Sequence, residues 1–242
     1  MQKTPITKDS ADTSIEKMFE AGAQYGYSKT RRHPSISPFI HTTKNRTDII
    51  DLEKTSLLTE TAIEFAKSLG AQKKVLLFVG TKPEAKEAVK EVTLSIGMPY
   101  VTERWIGGTL SNFSEIKKRI TELENYQKEN KEGGLEKYTK KERLVLSKKM
   151  ERLARYYTGL LGLKKLPDAL FIVDAKAEHI AEREARGMGI PVIALINSDS
   201  NIKNINYPIV GNDGAVPSVR LFTKAIADAY KKGGESLPEK VS

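Results

Sequence analysis

Two patterns of apolar and polar residues alternate along most of the chain. The segment KKVLLFVG at 73–80 is a short, nearly continuous apolar run that ends in glycine, which is typical of a buried strand. The next segment, 81–97, places its apolar residues three or four positions apart, on one face of a helix. Together the two segments predict a strand followed by a helix.

The same order continues on both sides of this unit. Before it, the patterns predict two strands joined by a turn over 39–52 and a helix over 53–70. After it, they predict a short strand within MPYVTERW, a strand at 166–175, a helix at 176–189, a strand at 190–197, a short strand at NYPIVG and a helix at 214–234. This alternation favours an α/β fold with a parallel sheet and helices on both faces.

Residues 109–161 interrupt the alternation with two long helical patterns. Their apolar positions are Leu110, Phe113, Ile116, Ile120 and Leu123, then Leu146, Met150, Leu153, Tyr157 and Leu160. The turn signal NKEGG separates the two sets, which predicts a pair of antiparallel helices packed along one seam. Lysine pairs on the remaining faces fit equally well with a solvated surface or with contact to RNA.

The positive charge of the chain is concentrated in two places. The total is +9, and residues 1–50 carry +3 while residues 103–165 carry +7. Within the first region, 28–46 contains five basic residues, two histidines and no acidic residue. A localised excess of this kind favours a surface that binds a polyanion, and we predict nucleic-acid contact for residues 28–46, called the basic segment below.

Composition limits the remaining possibilities. The chain has 242 residues and no cysteine, which excludes disulfides, thiolate metal sites and cysteine nucleophiles. The first residues lack the apolar core of a signal peptide, and no apolar run is long enough to span a membrane. We therefore expect a cytoplasmic protein with one principal domain.

The search for an enzyme site gives only a weak candidate. FVGTKPEA could place Lys82 and backbone amides near a phosphate, and Asp174 follows another strand at its carboxyl end. However, the chain has neither a complete phosphate loop nor a dinucleotide fingerprint, and its three histidines show no ligand spacing. A nucleotide- or phosphosugar-binding enzyme of doubly wound fold stays as the alternative, and we predict no cofactor and no bound metal.

The loop RWIGGTLSNF raises a separate question, because its glycines allow close approach to a partner. Arg104 and Trp105 place a cation beside a flat aromatic ring, which suits a ribose-phosphate backbone. Trp105 could equally be an apolar anchor at the root of the two helices. Both roles are compatible.

Seven segments in order resemble the family of bacterial small-subunit ribosomal protein two, over residues 15–230. They are MFEAGAQYGY, HPSISPFI, DIIDLEKT, LFVGTKPEAKEAVKE, MPYVTERWIGGTLSNF, LPDALFIVDAKAEHIAEREARGMGIPVIALINS and YPIVGNDGAV. The resemblance implies a three-layer α/β/α core with a parallel sheet, flavodoxin-like, and an inserted antiparallel helical hairpin. Gln24 and Tyr27 stand where the family often has histidines.

The resemblance also implies the function and the partners. It implies a structural constituent of the small ribosomal subunit without catalytic activity, associated with the ribosome in the cytoplasm. The implied partners are small-subunit ribosomal RNA and neighbouring ribosomal proteins, with no membrane.

Charge and motif position together predict the residues that bind RNA. These residues are Lys29, Arg31, Arg32, Lys44, Arg46, Arg104 and Trp105. We predict a discontinuous core of residues 14–108 and 162–232, a hairpin at 109–161, and flexible tails at 1–13 and 233–242.

Overall fold

The computed structural model describes residues 8–133 and 138–235, which form seven α-helices and eight β-strands. The helices are α1 (Lys8–Glu20), α2 (Leu52–Ala71), α3 (Pro83–Ile96), α4 (Phe113–Lys131), α5 (Lys140–Tyr157), α6 (His179–Gly187) and α7 (Val216–Glu235). The strands are β1 (Tyr25–Ser28), β2 (Ile40–Lys44), β3 (Thr47–Ile50), β4 (Leu76–Val79), β5 (Tyr100–Val101), β6 (Ala169–Val173), β7 (Val192–Ile196) and β8 (Tyr207–Val210).

The central sheet is parallel throughout, with the strand order β5-β4-β6-β7-β8. Strands β4, β6 and β7 are completely buried, which explains why they read as continuous apolar runs in the sequence. The order reverses between β4 and β6, and ligands of doubly wound folds bind at such a point, outside the carboxyl ends of the strands.

Alternate residues of each strand belong to two separate apolar cores, one on each face of the sheet. In β4, Leu76 and Phe78 pack with α2, α3 and α7, while Leu77 and Val79 pack on the opposite face with α6 and parts of α4 and α5. This confirms the three-layer α/β/α fold, because a sheet that buries both faces needs helices on both.

A second, antiparallel sheet of β1, β3 and β2 covers the carboxyl ends of the parallel strands. The backbone N–H of Tyr27 donates to Ser198 Oγ at 2.8 Å, and the N–H of His33 donates to the Ser198 carbonyl at 2.8 Å. Ser198 follows β7, so these two bonds fix the basic segment to the end of the sheet.

Two glycines permit very close packing of α2 against α7. A Cβ atom added at Gly70 would lie 1.9 Å from the Tyr230 carbonyl oxygen, and one added at Gly233 would lie 2.0 Å from the Lys67 carbonyl oxygen. No side chain fits at either position without moving a helix backbone. These glycines therefore set the distance between the two helices.

Helices α4 and α5 contact each other through apolar and charged side chains. Ile120, Leu123 and Met150 belong to one core, and Lys149 forms an ion pair with Glu122. The connecting residues 134–137 lie outside the described residues. That the two helices form an inserted antiparallel hairpin stays a prediction.

The predicted strands and helices of the core are confirmed, with ends that shift by a few residues. The sequence patterns missed α1 and β1, because α1 has a mostly polar sequence and β1 is a four-residue strand containing glycine. Residues 8–13, placed in a predicted tail, form the start of α1, and α7 continues to Glu235.

Residues 1–7 and 236–242 lie outside the described residues. Within the described ranges, no helix combines the length and apolar character needed to cross a membrane.

Candidate nucleic-acid interface

The basic segment runs from the end of β1 through two 3-10 turns (Lys29–Arg31 and Pro34–Phe39) and β2 to the turn that leads into β3. Its charge is concentrated at one end, because Lys44 pairs with Thr47 in the hairpin register and the Lys29 N–H donates to the Arg46 carbonyl at 2.9 Å. The side chains of Lys29, Lys44 and Arg46 are exposed there. The fold thus gathers three of the predicted RNA contacts.

Asn45 and Arg46 form the two-residue turn of this hairpin, and both adopt positive φ angles of 49° and 63°. Such a turn favours Asn followed by Gly, because the second residue must be left-handed. Arginine at this position accepts a conformation that most side chains avoid. The turn presents its guanidinium at the tip of the hairpin at a cost in backbone strain.

Arg31 is exposed but has two partners. Its guanidinium lies 3.3 Å from Asp199 and 4.4 Å from the centroid of the Tyr27 ring. Lys176 also contacts Asp199, at 2.8 Å. Two cations therefore share one carboxylate, and this part of the surface keeps an excess of positive charge.

Arg32 is oriented differently from its neighbour and points toward the inside of the small sheet. It donates hydrogen bonds to the fully buried carboxylate of Asp48, and a further bond of 2.7 Å to Thr43. The bond from Arg32 holds the pKa of Asp48 below its ordinary value. This geometry makes Arg32 a structural partner of Asp48 within the hairpin.

The backbone amides of the glycine-rich loop bind an anion that belongs to the chain itself. The two carboxylate oxygens of Glu184 on α6 accept hydrogen bonds from the N–H groups of Gly108 at 2.7 Å, Leu110 at 2.9 Å and Ser111 at 3.2 Å. Trp105 Nε1 donates to the same carboxylate at 3.4 Å. Burial acts to raise the pKa of Glu184, but these bonds outweigh it and the net shift is downward. The loop is therefore already occupied and is not a vacant phosphate cradle.

The two predicted contacts in this loop differ in exposure. Trp105 is only 5% exposed and packs in the apolar core beside the root of α4, so its ring faces protein. Arg104 is exposed. Among the described residues, no side-chain hydrogen bond or ion pair joins Arg104 to the basic segment.

The crevice at the carboxyl ends of β4 and β6, where the alternative enzyme would bind its ligand, is filled by an ion-pair cluster. Lys82 pairs with Asp174, and its ammonium group lies 3.2 Å from the buried carboxylate of Asp213. Tyr27 donates to Asp213 at 3.3 Å, and Asn197 donates to it at 3.0 Å. The chain's own carboxylates thus occupy the position that a phosphate would take beside Lys82.

The pKa values of this cluster reflect burial and pairing. Burial lowers the pKa of Lys82, but the ion pairs with Asp174 and Asp213 outweigh it and raise the pKa above its ordinary value. Burial and the charge of Asp174 raise the pKa of Asp213. Lys82 is therefore held as a structural cation between two carboxylates of the chain.

Some basic side chains of α4 and α5 form ion pairs with acidic residues of the same two helices. Lys118 pairs with Glu115, Arg119 pairs with Glu122 at 3.3 Å, and Lys149 pairs with Glu122. All these side chains remain at the surface. A surface ion pair of this kind is weak and can exchange with a phosphate, so both interpretations of this face stay open.

Sequence inspection missed three carboxylates that organise the site, Asp48, Glu184 and Asp213. Each lies far along the chain, or on the opposite strand, from the group that it binds. The apolar residues after Asp48 in TDII could have indicated that this carboxylate is buried and therefore paired with a cation. No local pattern connects Glu184 to the loop at 104–111.

Comparison with known proteins identifies the family of the chain. Residues 18–233 match the family model described as ribosomal protein S2. The small ribosomal subunit protein uS2 of Pseudoalteromonas translucida is 41% identical over 226 residues, which cover 93% of each chain. The protein of the same name from a Nitratiruptor species is 40% identical over 222 residues, covering 92% of this chain and 83% of the relative. The chain belongs to the ribosomal protein S2 family.

Proposed function

We propose that this chain is a structural constituent of the small ribosomal subunit, which binds small-subunit ribosomal RNA and neighbouring ribosomal proteins and supports translation. Family membership over 18–233 is the observation that carries this function. The same membership supports a location on the ribosome in the cytoplasm. The chain is not an enzyme, and the ion-pair cluster around Lys82 is consistent with a structural role for the crevice.

The RNA surface that we propose is centred on the hairpin end of the basic segment. Lys29, Lys44 and Arg46 converge there, and Arg104 adds a fourth exposed cation from the glycine-rich loop. None of the ion pairs between described residues includes these four side chains. Exposed cations outside any ion pair neutralise phosphates at the lowest cost, since no ion pair has to break.

Arg31 extends this surface toward the end of β7. The Arg31 side chain is 56% exposed although its partner Asp199 is buried, and the Tyr27 ring lies against the guanidinium on one side. A planar guanidinium held in this way can offer its remaining donors to a phosphate. We assign it a contact that is weaker than that of Arg46, because Asp199 competes for the charge.

Arg32 and Trp105 support the surface from behind. Arg32 ties β2 to β3 through Thr43 and Asp48, and Trp105 anchors the loop that carries Arg104. We propose that both residues influence RNA binding by positioning their neighbours. Direct contact with phosphate is assigned to the exposed cations alone.

The test is equilibrium binding of the full chain to small-subunit ribosomal RNA at two salt concentrations. A surface of five cations that neutralises about five phosphates should lose about 500-fold in affinity between about 50 and about 200 mM monovalent salt. Lys44→Gln, Arg46→Gln and Arg104→Gln should each weaken binding and reduce the salt dependence by about one phosphate equivalent. Lys224→Gln, an exposed lysine on α7, is the matched control.

Different outcomes test the proposed RNA surface and the proposed ribosomal role. A flat salt response would overturn the phosphate-contact mechanism. Equal losses in Lys224→Gln and in the three variants would show that the charge effect is not local. Sedimentation of cell extract tests the ribosomal role itself, because a constituent of the small subunit migrates with it, whereas recovery only in the soluble fraction would contradict the proposal.

A further inference from the structure

Helix α5 exposes two adjacent apolar side chains, Leu144 and Val145, which are 57% and 63% exposed. The side chains of α5 that pack with α4 are Leu146, Met150 and Leu153, three or four positions apart on a different face of the helix. Leu144 and Val145 therefore lie outside the contact between the two helices. Isolated exposed apolar residues are common, so these two indicate a partner only together with their surroundings.

A groove of about 420 Å³ beside Val145 extends the apolar surface. Val145, Leu146 and Tyr138 provide its apolar lining, and Lys141, Glu142 and Lys149 provide the polar part. Leu144, Val145 and the groove together form an apolar strip along the N-terminal half of α5. A strip of this kind with polar residues around it is typical of a surface that binds another protein.

Positive charge surrounds the apolar strip. Helix α5 contains seven basic and two acidic residues. Lys141 and Lys148 lie about one helical turn before and after Leu144 and Val145, and Arg152 lies one turn further on. All three basic side chains are exposed, and none of the ion pairs between described residues includes them. They are therefore available to an acidic partner.

The two acidic residues of α5 do not cancel this charge. Glu142 is held in the capping box at the start of the helix, where its carboxylate accepts hydrogen bonds from the N–H of Thr139 at 2.9 Å and from its hydroxyl at 2.8 Å. Glu151 is the remaining acid, and it lies beside Arg152. The outer face of α5 thus keeps an excess of positive charge around its exposed aliphatic side chains.

We propose that the outer face of α5 binds an acidic amphipathic helix of a partner protein. Apolar residues of the partner, spaced three and four positions apart, cover Leu144 and Val145 and enter the groove. Its carboxylates pair with Lys141, Lys148 and Arg152, which sets the orientation of the partner and speeds its association. This interaction goes beyond the proposed RNA surface, since it uses none of the residues assigned to that surface.

The chemistry of the face favours this occupant over two others. RNA phosphates would pair with the cations but would leave the aliphatic side chains exposed, because bases stack on aromatic rings or guanidinium planes. A second copy of this chain that presented the same face would place positive charge against positive charge, which is unfavourable. Apolar residues flanked by carboxylates complement both properties of the face.

The experiment uses a designed acidic helix as the probe. A fluorescein-labelled peptide with three repeats of the sequence LEELEQA is titrated with the full chain, and fluorescence anisotropy measures binding. Its leucines are spaced three and four positions apart, with glutamates beside them. One control peptide has serine in place of every leucine, and another has lysine in place of every glutamate.

Two double variants of the chain test the two parts of the face. Leu144→Ala with Val145→Ala removes the exposed apolar surface, and Lys148→Gln with Arg152→Gln removes the charge. Alanine and glutamine are good helix formers, so α5 should be retained. Circular dichroism of each variant verifies that it is folded.

Matched controls come from helices outside the pair. Leu57 is also 63% exposed, but Glu53 and Glu60 lie about one turn away from it on α2. Leu57→Ala should therefore leave binding of the acidic peptide unchanged. Lys224→Gln on α7 is the control for the loss of an exposed lysine.

The acidic peptide should bind saturably, and the serine and lysine peptides should bind at least about tenfold more weakly. The apolar double variant should weaken binding by about tenfold or more, and the charge double variant by about fivefold. Absence of saturable binding of the acidic peptide would overturn the proposal. Equal losses in Leu57→Ala, or equal binding of the lysine peptide, would overturn it as well.

A further arm measures binding of each variant to small-subunit ribosomal RNA. Arg46→Gly should weaken RNA binding and leave binding of the acidic peptide unchanged. If the charge double variant loses RNA affinity while the acidic peptide does not bind, the face belongs to the RNA surface and the proposal is overturned. Unchanged RNA affinity in Arg46→Gly would count against the proposed RNA surface alone, because the peptide measurement does not depend on it.

Discussion

The carboxylate of Glu184 accepts a 2.7 Å hydrogen bond from the backbone N–H of Gly108, across 76 positions of sequence. Three further donors complete the arrangement, two on each carboxylate oxygen. An acidic side chain on α6 thereby determines the shape of the glycine-rich loop. The exposure of Arg104, at the start of this loop, depends on that shape.

Glu184→Gln should destabilise the protein by about 2–3 kcal/mol, since an amide provides only one acceptor oxygen. In either orientation of the amide, two of the four donors lose their acceptor and face an NH₂ group. Chemical denaturation followed by Trp105 fluorescence measures the change in the free energy of unfolding. Glu64→Gln, at an exposed position of α2, should change it by less than about 0.5 kcal/mol. Equal stability of the two variants would contradict the proposed role of Glu184.

The same carboxylate gives the stability a defined pH dependence. Its pKa in the folded protein lies below the ordinary value of 4.5, so the unfolded state binds its proton first as the pH falls. The stabilisation by ionised Glu184 is therefore complete at neutral pH and is lost below about pH 4.5. The difference in the free energy of unfolding between the wild type and Glu184→Gln should narrow as the pH falls below about 4.5. A constant difference would contradict the proposed contribution of ionised Glu184.

Arg46→Gly should preserve or raise stability, by up to about 1 kcal/mol, while weakening RNA binding. Glycine adopts the left-handed angle at the second turn position without strain, whereas the substitution removes an exposed cation. Thermal unfolding and RNA binding measured on the same samples separate the two effects. Lys44→Gln, one residue before the turn, should weaken binding without the gain in stability. Unchanged RNA affinity in Arg46→Gly would remove this residue from the surface.

Arg32→Met should lower the free energy of unfolding by about 3 kcal/mol, because it removes the cation paired with the buried carboxylate of Asp48 and leaves only the hydrogen bond from Thr43. Arg104→Met removes an equal charge from an exposed site and should leave stability within about 0.5 kcal/mol of the wild type. Denaturant titration compares the two directly. A stable Arg32→Met variant with reduced RNA affinity would instead place Arg32 among the phosphate contacts.

Gly70→Ala should destabilise the protein by more than about 2 kcal/mol, since its methyl group would overlap the Tyr230 carbonyl and push α2 away from α7. Gly187→Ala is a suitable control, because that glycine also lies in a helix but has open space around it. Alanine there should be neutral or stabilising by up to about 1 kcal/mol. Similar melting temperatures for the two variants would refute the proposed packing constraint.

Lys82→Met should also destabilise the fold, by about 3 kcal/mol or more, because Asp174 and Asp213 would be left close together without a cation. The double variant Lys82→Met with Asp213→Asn should recover part of the loss. Inorganic phosphate should not raise the melting temperature of the wild type. Stabilisation by phosphate that is lost in a normally stable Lys82→Met variant would favour a small-ligand site in the crevice.

The sequence by itself determined the order and type of most core elements. The completely buried strands β4, β6 and β7 must be apolar on both faces, and this requirement leaves a continuous run that is readable without any partner. The basic segment was equally visible, because charge excess is a property of composition. Both signals are local, so neither needed the fold to be known.

Only the tertiary structure decided which charges are available to a ligand. Arg31 and Arg32 are adjacent in sequence, yet Arg31 is exposed beside Asp199 while Arg32 is paired with buried Asp48. The glycine-rich loop resembled a vacant anion site until the fold placed Glu184 against its amides. Whether a cation or a backbone amide can bind a ligand depends on carboxylates that are distant from it in sequence but close in space. The three-layer packing of the chain brings these carboxylates against the groups that they bind.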